Sequence, residues 1–456
     1  MVVDELCGLG PLFFALVTTS SPTPQAMASP SYLPSNASAA AAFEENLWTN
    51  GPVSFESFYR APTNSTSAAP GTLLKLETDA SASTYTLAPG TAISRIMFQS
   101  ETLQGAPIPA SAYILWPYQP RTQPDGTYPV VAWAHGTSGI YGNCAPSHIK
   151  TLYQHFDAPF PLALQGYVTV APDYVGLGVD KTHDGKDIVH QYIANPAHAN
   201  DLFYAVQAAQ AAFSQLSSEF VVIGHSQGGG AAWGAAQRQA LKPVKGYLGS
   251  IALSPVTDIL ELPPTDNPLI PILGAFMAPG IQTIFPQFEP REIFTDAGWE
   301  RWQMFSQIGG CNPVAVELLA GIQLLNDDWR NNTYLQQYVQ LTLNGGKEIG
   351  GPLLVIQGEA DPNMNATTTT SAVNKLVQAF PDAQVEYVTL PGITHTPSLF
   401  ASQRLWLDWI ASRFAGVEVK SGYQHSEASS LARPISSYQS DANWIITTAT
   451  EPYQLA

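Results

Sequence analysis

The sequence predicts an α/β fold: a mostly parallel central sheet flanked by helices, interrupted by an inserted helical cap. Three observations point to it. From residue 128 onward, short apolar runs alternate with longer helical patterns, the rhythm of parallel β-α units. One of those runs leads through a Gly-rich turn into an Ala-rich helix at residues 221–241. The interval 255–351 is far longer than a single crossover and carries Pro-broken apolar and helical pieces.

Taken in order, residues 72–78, 93–103 and 110–116 read as antiparallel strands leading into the sheet. The parallel strands are 129–134, 167–171, 220–224, 247–253, 352–357 and 385–390, short and rich in β-branched and aromatic residues, as a sheet buried on both faces requires. Helices are expected at 196–216, at 227–241 and at 398–414, where Leu405, Trp406, Trp409 and Ile410 form an apolar stripe. A further helical piece is expected at 314–325. The expected division is therefore 29–254 and 352–416 for the two parts of the core, 255–351 for the cap, and 417–456 for an irregular tail rich in Ser, Thr and Ala.

Composition narrows the function. Across 456 residues, 19 Lys and Arg stand against 36 Asp and Glu, a formal charge of −17, which argues against a nucleic-acid partner. With 45% hydrophobic and 12% charged residues the chain can bury a large core. Residues 269–288 contain no charge and are long enough to suggest a membrane span, but Pro271, Pro279 and Pro286 interrupt a continuous helix, and mobile apolar surface over a cleft is the expected reading.

The apolar block 8–17, the Ser/Thr/Pro stretch after it and Ala26-Met27-Ala28 resemble a secretory signal over residues 1–28, although Asp4 and Glu5 stand where such a segment is normally basic. Cys7 lies in that segment, so its removal would leave Cys144 and Cys311 as an even pair for a disulfide in an oxidising compartment. Asn36, Asn64, Asn331 and Asn365 each begin an Asn-x-Ser/Thr site for glycosylation. Together these predict a secreted protein.

The chemistry centres on Gly224-His225-Ser226-Gln227-Gly228. A serine at a tight strand-to-helix turn needs small neighbours, because side chains there would collide with the adjoining strand and helix. Serine is a poor nucleophile at neutral pH and needs a base, with a third group to orient that base. After strand 352–357 comes Gly358-Glu359-Ala360-Asp361-Pro362, which offers Asp361 as the acid, with Glu359 as the competitor. After strand 385–390 comes Gly392-Ile393-Thr394-His395, which offers His395 as the base, while His425 lies in the tail. An oxyanion site needs two fixed N–H donors. One is Gln227, at the start of the helix. The other comes from His135-Gly136-Thr137, with Thr137 preferred to Gly136 and His135 read as a structural histidine. Residues 171–178, which include Gly176 and Gly178, are read as a turn. No phosphate-cradling loop and no metal-ligand spacing occurs, so neither metal nor cofactor is expected.

These features resemble the α/β-hydrolase fold, and within it the secretory lipase family of fungi and some bacteria, the lipase A type. The likeness runs over residues 128–414 and is carried by Ala134-His135-Gly136-Thr137, Asn143-Cys144-Ala145-Pro146-Ser147, residues 171–178, Gly224-His225-Ser226-Gln227-Gly228 and Gly358-Glu359-Ala360-Asp361-Pro362. The resemblance implies a Ser-Asp-His triad, a helical cap, hydrolysis of carboxylic esters bearing acyl chains, no cofactor, and a disulfide from Cys144 to a cap cysteine that Cys311 would supply. The expected substrate is thus a small-molecule or lipid ester, met in transient contact with a lipid interface. The enzymatic alternative is hydrolysis or acyl transfer on a secondary metabolite in a biosynthetic pathway. The alternative of another class is a non-catalytic binding protein on a hydrolase scaffold, against which the intact Ser226, Asp361 and His395 argue.

Overall fold

The computed structural model describes residues 33–154, 156–263, 267–428, 432–439 and 450–454. The expected signal segment, with Cys7, lies outside them.

Ten strands form one sheet: β1 (Leu73–Glu77), β2 (Thr91–Glu101), β3 (Pro107–Pro117), β4 (Tyr128–Ala134), β5 (Val168–Pro172), β6 (Leu216–His225), β7 (Tyr247–Leu253), β8 (Leu353–Gly358), β9 (Val385–Leu390) and β10 (Tyr423–Glu427). Their spatial order is β1-β2-β3-β5-β4-β6-β7-β8-β9-β10. The first three run antiparallel and the remainder pair in parallel, as the alternating pattern predicts. β4 is buried from Pro129 to its end, and β5 and β8 are buried throughout, because helices cover both faces and apolar residues must fill both.

The helices are α1 (Ser35–Leu47), α2 (Pro159–Leu164), α3 (Asn195–Ala212), α4 (Gln227–Leu241), α5 (Leu269–Ile284), α6 (Asp296–Ile308), α7 (Asn312–Leu319), α8 (Thr333–Thr342), α9 (Ala366–Ala379), α10 (Pro397–Ala401) and α11 (Gln403–Phe414). One face of the sheet packs on α3 and α4 through Leu202, Phe203, Val206, Ala231 and Ala235. The other packs on α11 through Trp406, Trp409 and Ile410. The helix expected over 398–414 divides at Ser402 into α10 and α11. Ser402 Oγ donates to the Ser398 carbonyl there, which competes with the regular ladder.

Helices α5 to α8 lie between β7 and β8 and share a core of their own that includes Phe276, Ile281, Trp302, Phe305, Leu318 and Tyr338. Two expectations fail here and at the C-terminus. The prolines do not prevent a helix at 269–284, since α5 runs through Pro271 and Pro279. Pro271 sits in the first turn, where a backbone N–H has no intrahelical acceptor to lose. Pro279 is tolerated because α5 is packed over nearly its whole circumference, and Phe276 and Ile281 are fully buried in the insertion's core rather than forming mobile surface. Among the described residues no helix is long and apolar enough to cross a membrane. The tail after residue 416 is not wholly irregular either. β10 pairs in parallel with β9 from Tyr423↔Val385 to Glu427↔Thr389, satisfying an edge that would otherwise be open.

The parallel register matters most for the site. Ala134 aligns with Gly224, and His225 with Leu253, so β4, β6 and β7 all end at one edge, and β8 and β9 end together at Gly358↔Leu390. The loops that leave those ends carry Thr137, Ser226, Asp361 and His395. This is the edge at which open α/β sheets bind ligands.

Candidate active site

Ser226 is held at φ 59°, ψ −119°, a strained backbone conformation for a side-chain-bearing residue, as the turn between β6 and α4 demands. The glycines beside it leave no room for a side chain. A Cβ on Gly224 would lie 2.1 Å from the Gly228 carbonyl oxygen, and one on Gly228 would lie 1.9 Å from that of Ala134. The turn is fastened on both sides: Ser226 N donates to the Leu253 carbonyl at 3.0 Å, and the Ser226 carbonyl accepts from Gly230 N and Val256 N at 3.1 Å each.

Asp361 and His395 meet at that edge. His395 Nδ1 donates to Asp361 Oδ2 at 2.7 Å, and Gln357 Nε2 donates to the same oxygen at 3.2 Å. Asp361 Oδ1 accepts from the backbone N–H groups of Asn363 and Met364, each at 2.9 Å. Burial would push this carboxyl up, but the adjacent His395 and the two backbone donors outweigh it and hold the group below its usual range. The competing acid, Glu359, is exposed, and the competing base, His425, is exposed on β10 near Tyr423 and Tyr387. Neither joins the site.

His225, to which the sequence reading gave no role, packs its ring 4.6 Å from that of His395, centroid to centroid. Its Nε2 donates to the His395 carbonyl at 3.2 Å, and Ser398 Oγ donates to the same carbonyl at 2.6 Å. Burial keeps His225 neutral, pulling it down to about 3, so it serves as a fixed donor. Among the described residues no hydrogen bond joins Ser226 Oγ to the His395 ring, although Ser226 directly follows His225, whose ring packs on that of His395.

The loop after β4 approaches the turn closely: a Cβ built on Gly136 would lie 3.7 Å from Ser226 Cβ. Gln227 is the first residue of α4, where a backbone N–H has no intrahelical acceptor, and it is buried. Thr137 is clamped at three points. Its carbonyl accepts from Tyr153 Oη and Asn312 Nδ2, and its Oγ1 pairs with Tyr192 Oη at 2.6 Å. Tyr153 belongs to a left-handed turn in which Leu152, Tyr153 and Gln154 all have positive φ, strain of the kind that collects around functional loops. His135 is buried and stacked on Tyr174 at 4.3 Å, with Nδ1 2.6 Å from the Gly136 carbonyl, which fits a histidine that shapes this loop. The turn at 171–178 needs its glycines, since Gly176 and Gly178 have positive φ and a Cβ on Gly176 would lie 2.4 Å from His190 N.

The insertion touches two of the loops at this edge. Asn267 Nδ2 donates to the Pro362 carbonyl beside Asp361. Asn312 N donates to the Ser138 carbonyl at 3.1 Å, Gly139 and Cys311 form an antiparallel bridge, and a disulfide joins Cys144 to Cys311 with Cα atoms 5.5 Å apart. Glu44 of α1 caps the start of α7, its carboxyl accepting from Cys311 N at 3.0 Å and Val314 N at 2.8 Å. No sequence signal marked that cap, because the partners are 267 residues apart or more. Of the four Asn-x-Ser/Thr sites, Asn36, Asn64 and Asn331 are exposed, while Asn365 is half-buried and caps α9 through Thr367 N. Among the described residues no group of three or more His, Cys, Asp or Glu could hold a metal ion.

Residues 130–406 match the sequence profile of a family described as the alpha/beta hydrolase family. No curated protein matches the chain significantly in sequence. Among solved structures, lipase A of Candida antarctica in its closed state superposes with a TM-score of 0.64 at 15% identity, covering 81% of this chain and 87% of that one. A rice cell wall degrading esterase from Xanthomonas oryzae gives 0.54 at 18% identity, covering 77% and 99%. A putative hydrolase from Legionella pneumophila gives 0.57 at 16%, covering 76% and 100%. At such identities the likeness is one of fold.

Proposed function

Because the chain belongs to the alpha/beta hydrolase family, we propose that it is a serine carboxylester hydrolase, a lipase or esterase cleaving acyl esters through a covalent acyl-enzyme. One observation carries the reading: the Asp361–His395 pair and the strained Ser226 turn stand on neighbouring loops at one sheet edge, with His225 bonded to the His395 backbone.

In this reading Ser226 Oγ attacks the ester carbonyl while His395 Nε2 takes its proton, and His395 then delivers that proton to the departing alcohol. Asp361 holds the imidazole with Nε2 toward the serine and stabilises the imidazolium. The negative charge on the tetrahedral intermediate falls to the N–H groups of Gln227 and Thr137. Water deprotonated by His395 then cleaves the acyl-enzyme.

The substrate class follows from the surroundings. In this reading the insertion, which has an apolar core and is joined to the loops carrying Asp361 and Thr137, serves as a cap over the edge, and an uncharged acyl ester suits such a cap better than a charged one. The Cys144–Cys311 bridge and the exposed Asn36, Asn64 and Asn331 support a secreted protein that meets its ester at a lipid interface. The test is a p-nitrophenyl ester series with acyl chains from acetate to palmitate. Turnover by the wild type that is abolished in Ser226→Ala supports the reading, and equal turnover by the two removes it.

A further inference from the structure

Gln227 carries a side chain where the chemistry needs only its backbone N–H, and that side chain is 1% exposed. It points away from the cleft into a stack of aromatic rings. Its Nε2 lies 3.3 Å from His190 Nε2 and 3.3 Å from His198 Nε2. The two imidazoles are themselves stacked at 5.2 Å, and Tyr174 lies against both, 4.4 Å from His198 and 6.1 Å from His190, with His135 on its far side at 4.3 Å.

Proton positions in this cluster follow from one carbonyl. His190 Nδ1 lies 2.8 Å from the Val175 carbonyl, which can only accept, so Nδ1 carries the proton and Nε2 presents a lone pair. The Gln227 amide must then turn its NH2 toward His190. The second proton of that NH2 points to His198 Nε2, so His198 also accepts there and carries its own proton on Nδ1, which makes no hydrogen bond and has Asp201 Oδ2 3.9 Å away. Burial keeps both rings neutral, pulling His198 down to about 3 and His190 well below its ordinary range. Asp201 is held in turn by Ser100 Oγ at 2.5 Å and Val175 N at 3.1 Å.

We infer that His190 and His198 are positioning residues for the oxyanion site: as paired acceptors they fix the Gln227 side chain, and with it the peptide that presents the Gln227 N–H beside Ser226. The inference rests on the proposed role of Gln227. Gln227 follows the strained Ser226 directly, and a small rotation of the Ser226–Gln227 peptide would turn that donor away from the oxyanion. A buried amide with two matched acceptors has one orientation, whereas a glycine at this position would leave the peptide's orientation to the helix alone.

The test uses a charge reversal of donor and acceptor. In Gln227→Glu a carboxylate faces two lone pairs, which repel it until one imidazole takes a proton. The groups around the pair are Asp201, His135, Tyr174 and Tyr192; burial pushes the Asp201 carboxyl up to about 7, so its negative charge assists that protonation at pH 8 and is lost as the pH falls toward 6. Relative to wild type at each pH, kcat for an acetate ester is expected to fall about 10- to 100-fold at pH 8 and to recover toward pH 6, with KM within about 2-fold. The diagnostic quantity is the ratio of variant to wild type at the same pH. A second pair guards against misfolding. His198→Gln restores an acceptor near the Nε2 position and should keep kcat within about 3-fold, while His198→Leu should lower kcat and weaken a trifluoromethyl ketone inhibitor by the same factor. Variants that lower only the melting temperature, with kcat and inhibitor affinity of the folded protein unchanged, overturn the inference. A wild type that does not react with a fluorophosphonate would instead overturn the hydrolase reading beneath it.

Discussion

His225 Nε2 donates to the backbone carbonyl of His395 at 3.2 Å, so the residue before Ser226 holds the loop that carries the proposed base. The proposed nucleophile and base are thereby linked through one hydrogen bond from the end of β6 to the His395 loop. His225→Phe keeps an aromatic ring against His395 but removes the donor, leaving Ser398 Oγ as the remaining support. Steady-state kinetics should show kcat lowered about 10-fold with KM changed less than about 2-fold, because the loss is one of alignment. An unchanged kcat would show that Ser398 alone suffices.

The two acids of residues 358–362 separate by environment. Asp361→Asn should reduce kcat by about 10⁴-fold, as expected when the base loses its orienting carboxylate, while the exposed Glu359→Gln should stay within about 2-fold of wild type. The reverse ranking would reassign the acid. Asp361 also contributes to stability. Its folded-state pKa is depressed below 3.8, so its contribution is present above that value and lost as pH falls through the depressed one. Thermal unfolding of Asp361→Asn should therefore lose part of the decline in melting temperature expected of the wild type below about pH 4.

Glu44 works in the opposite direction. Burial pushes its carboxyl from 4.5 up to about 8 despite the backbone donors of Val314 and Cys311. Folding therefore favours the protonated acid, whose contribution is full below pH 4.5 and lost as pH rises through about 8. Glu44→Gln keeps a neutral cap and should flatten the melting temperature between pH 5 and about pH 8.5 relative to wild type. Glu44→Ala leaves buried N–H groups of α7 without acceptors and should destabilise at every pH by about 1–3 kcal/mol. Equal pH dependence in wild type and Glu44→Gln would contradict this account.

What could be read from the sequence follows from which forces are local. The parallel strands are buried on both faces, so near-continuous apolar runs marked β4 to β9 to within a few residues. α4 was legible to its ends, 227–241, because the Gly-rich turn marks its start. α1 was missed since it buries Ala37, Ala40, Ala41 and Glu44, small or polar residues that make no apolar stripe. α9 was missed because Thr367 to Thr370 at its start are β-branched, although the Asn365 cap and the helical spacing of Val373, Leu376 and Val377 favour the helix. β10 is exposed along its length, so its pairing with β9 leaves no hydrophobic pattern. At the candidate site, Ser226, Asp361 and His395 each follow a strand, so chain order made them candidates, with Glu359 separated from Asp361 by its exposure in the fold. His190, His198 and Glu44 act through contacts made only once the sheet and helices assemble, which no spacing rule records.

The central claim is that Ser226 is the nucleophile. The most direct measurement is mass-spectrometric mapping of the adduct formed by a fluorophosphonate probe on the full chain, in parallel for wild type, Ser226→Ala and His395→Ala. The account predicts a single stoichiometric adduct on the peptide containing Ser226, absent from Ser226→Ala and formed far more slowly in His395→Ala, where the serine has lost its base. An adduct on another serine, or undiminished labelling and ester hydrolysis in Ser226→Ala, would contradict it.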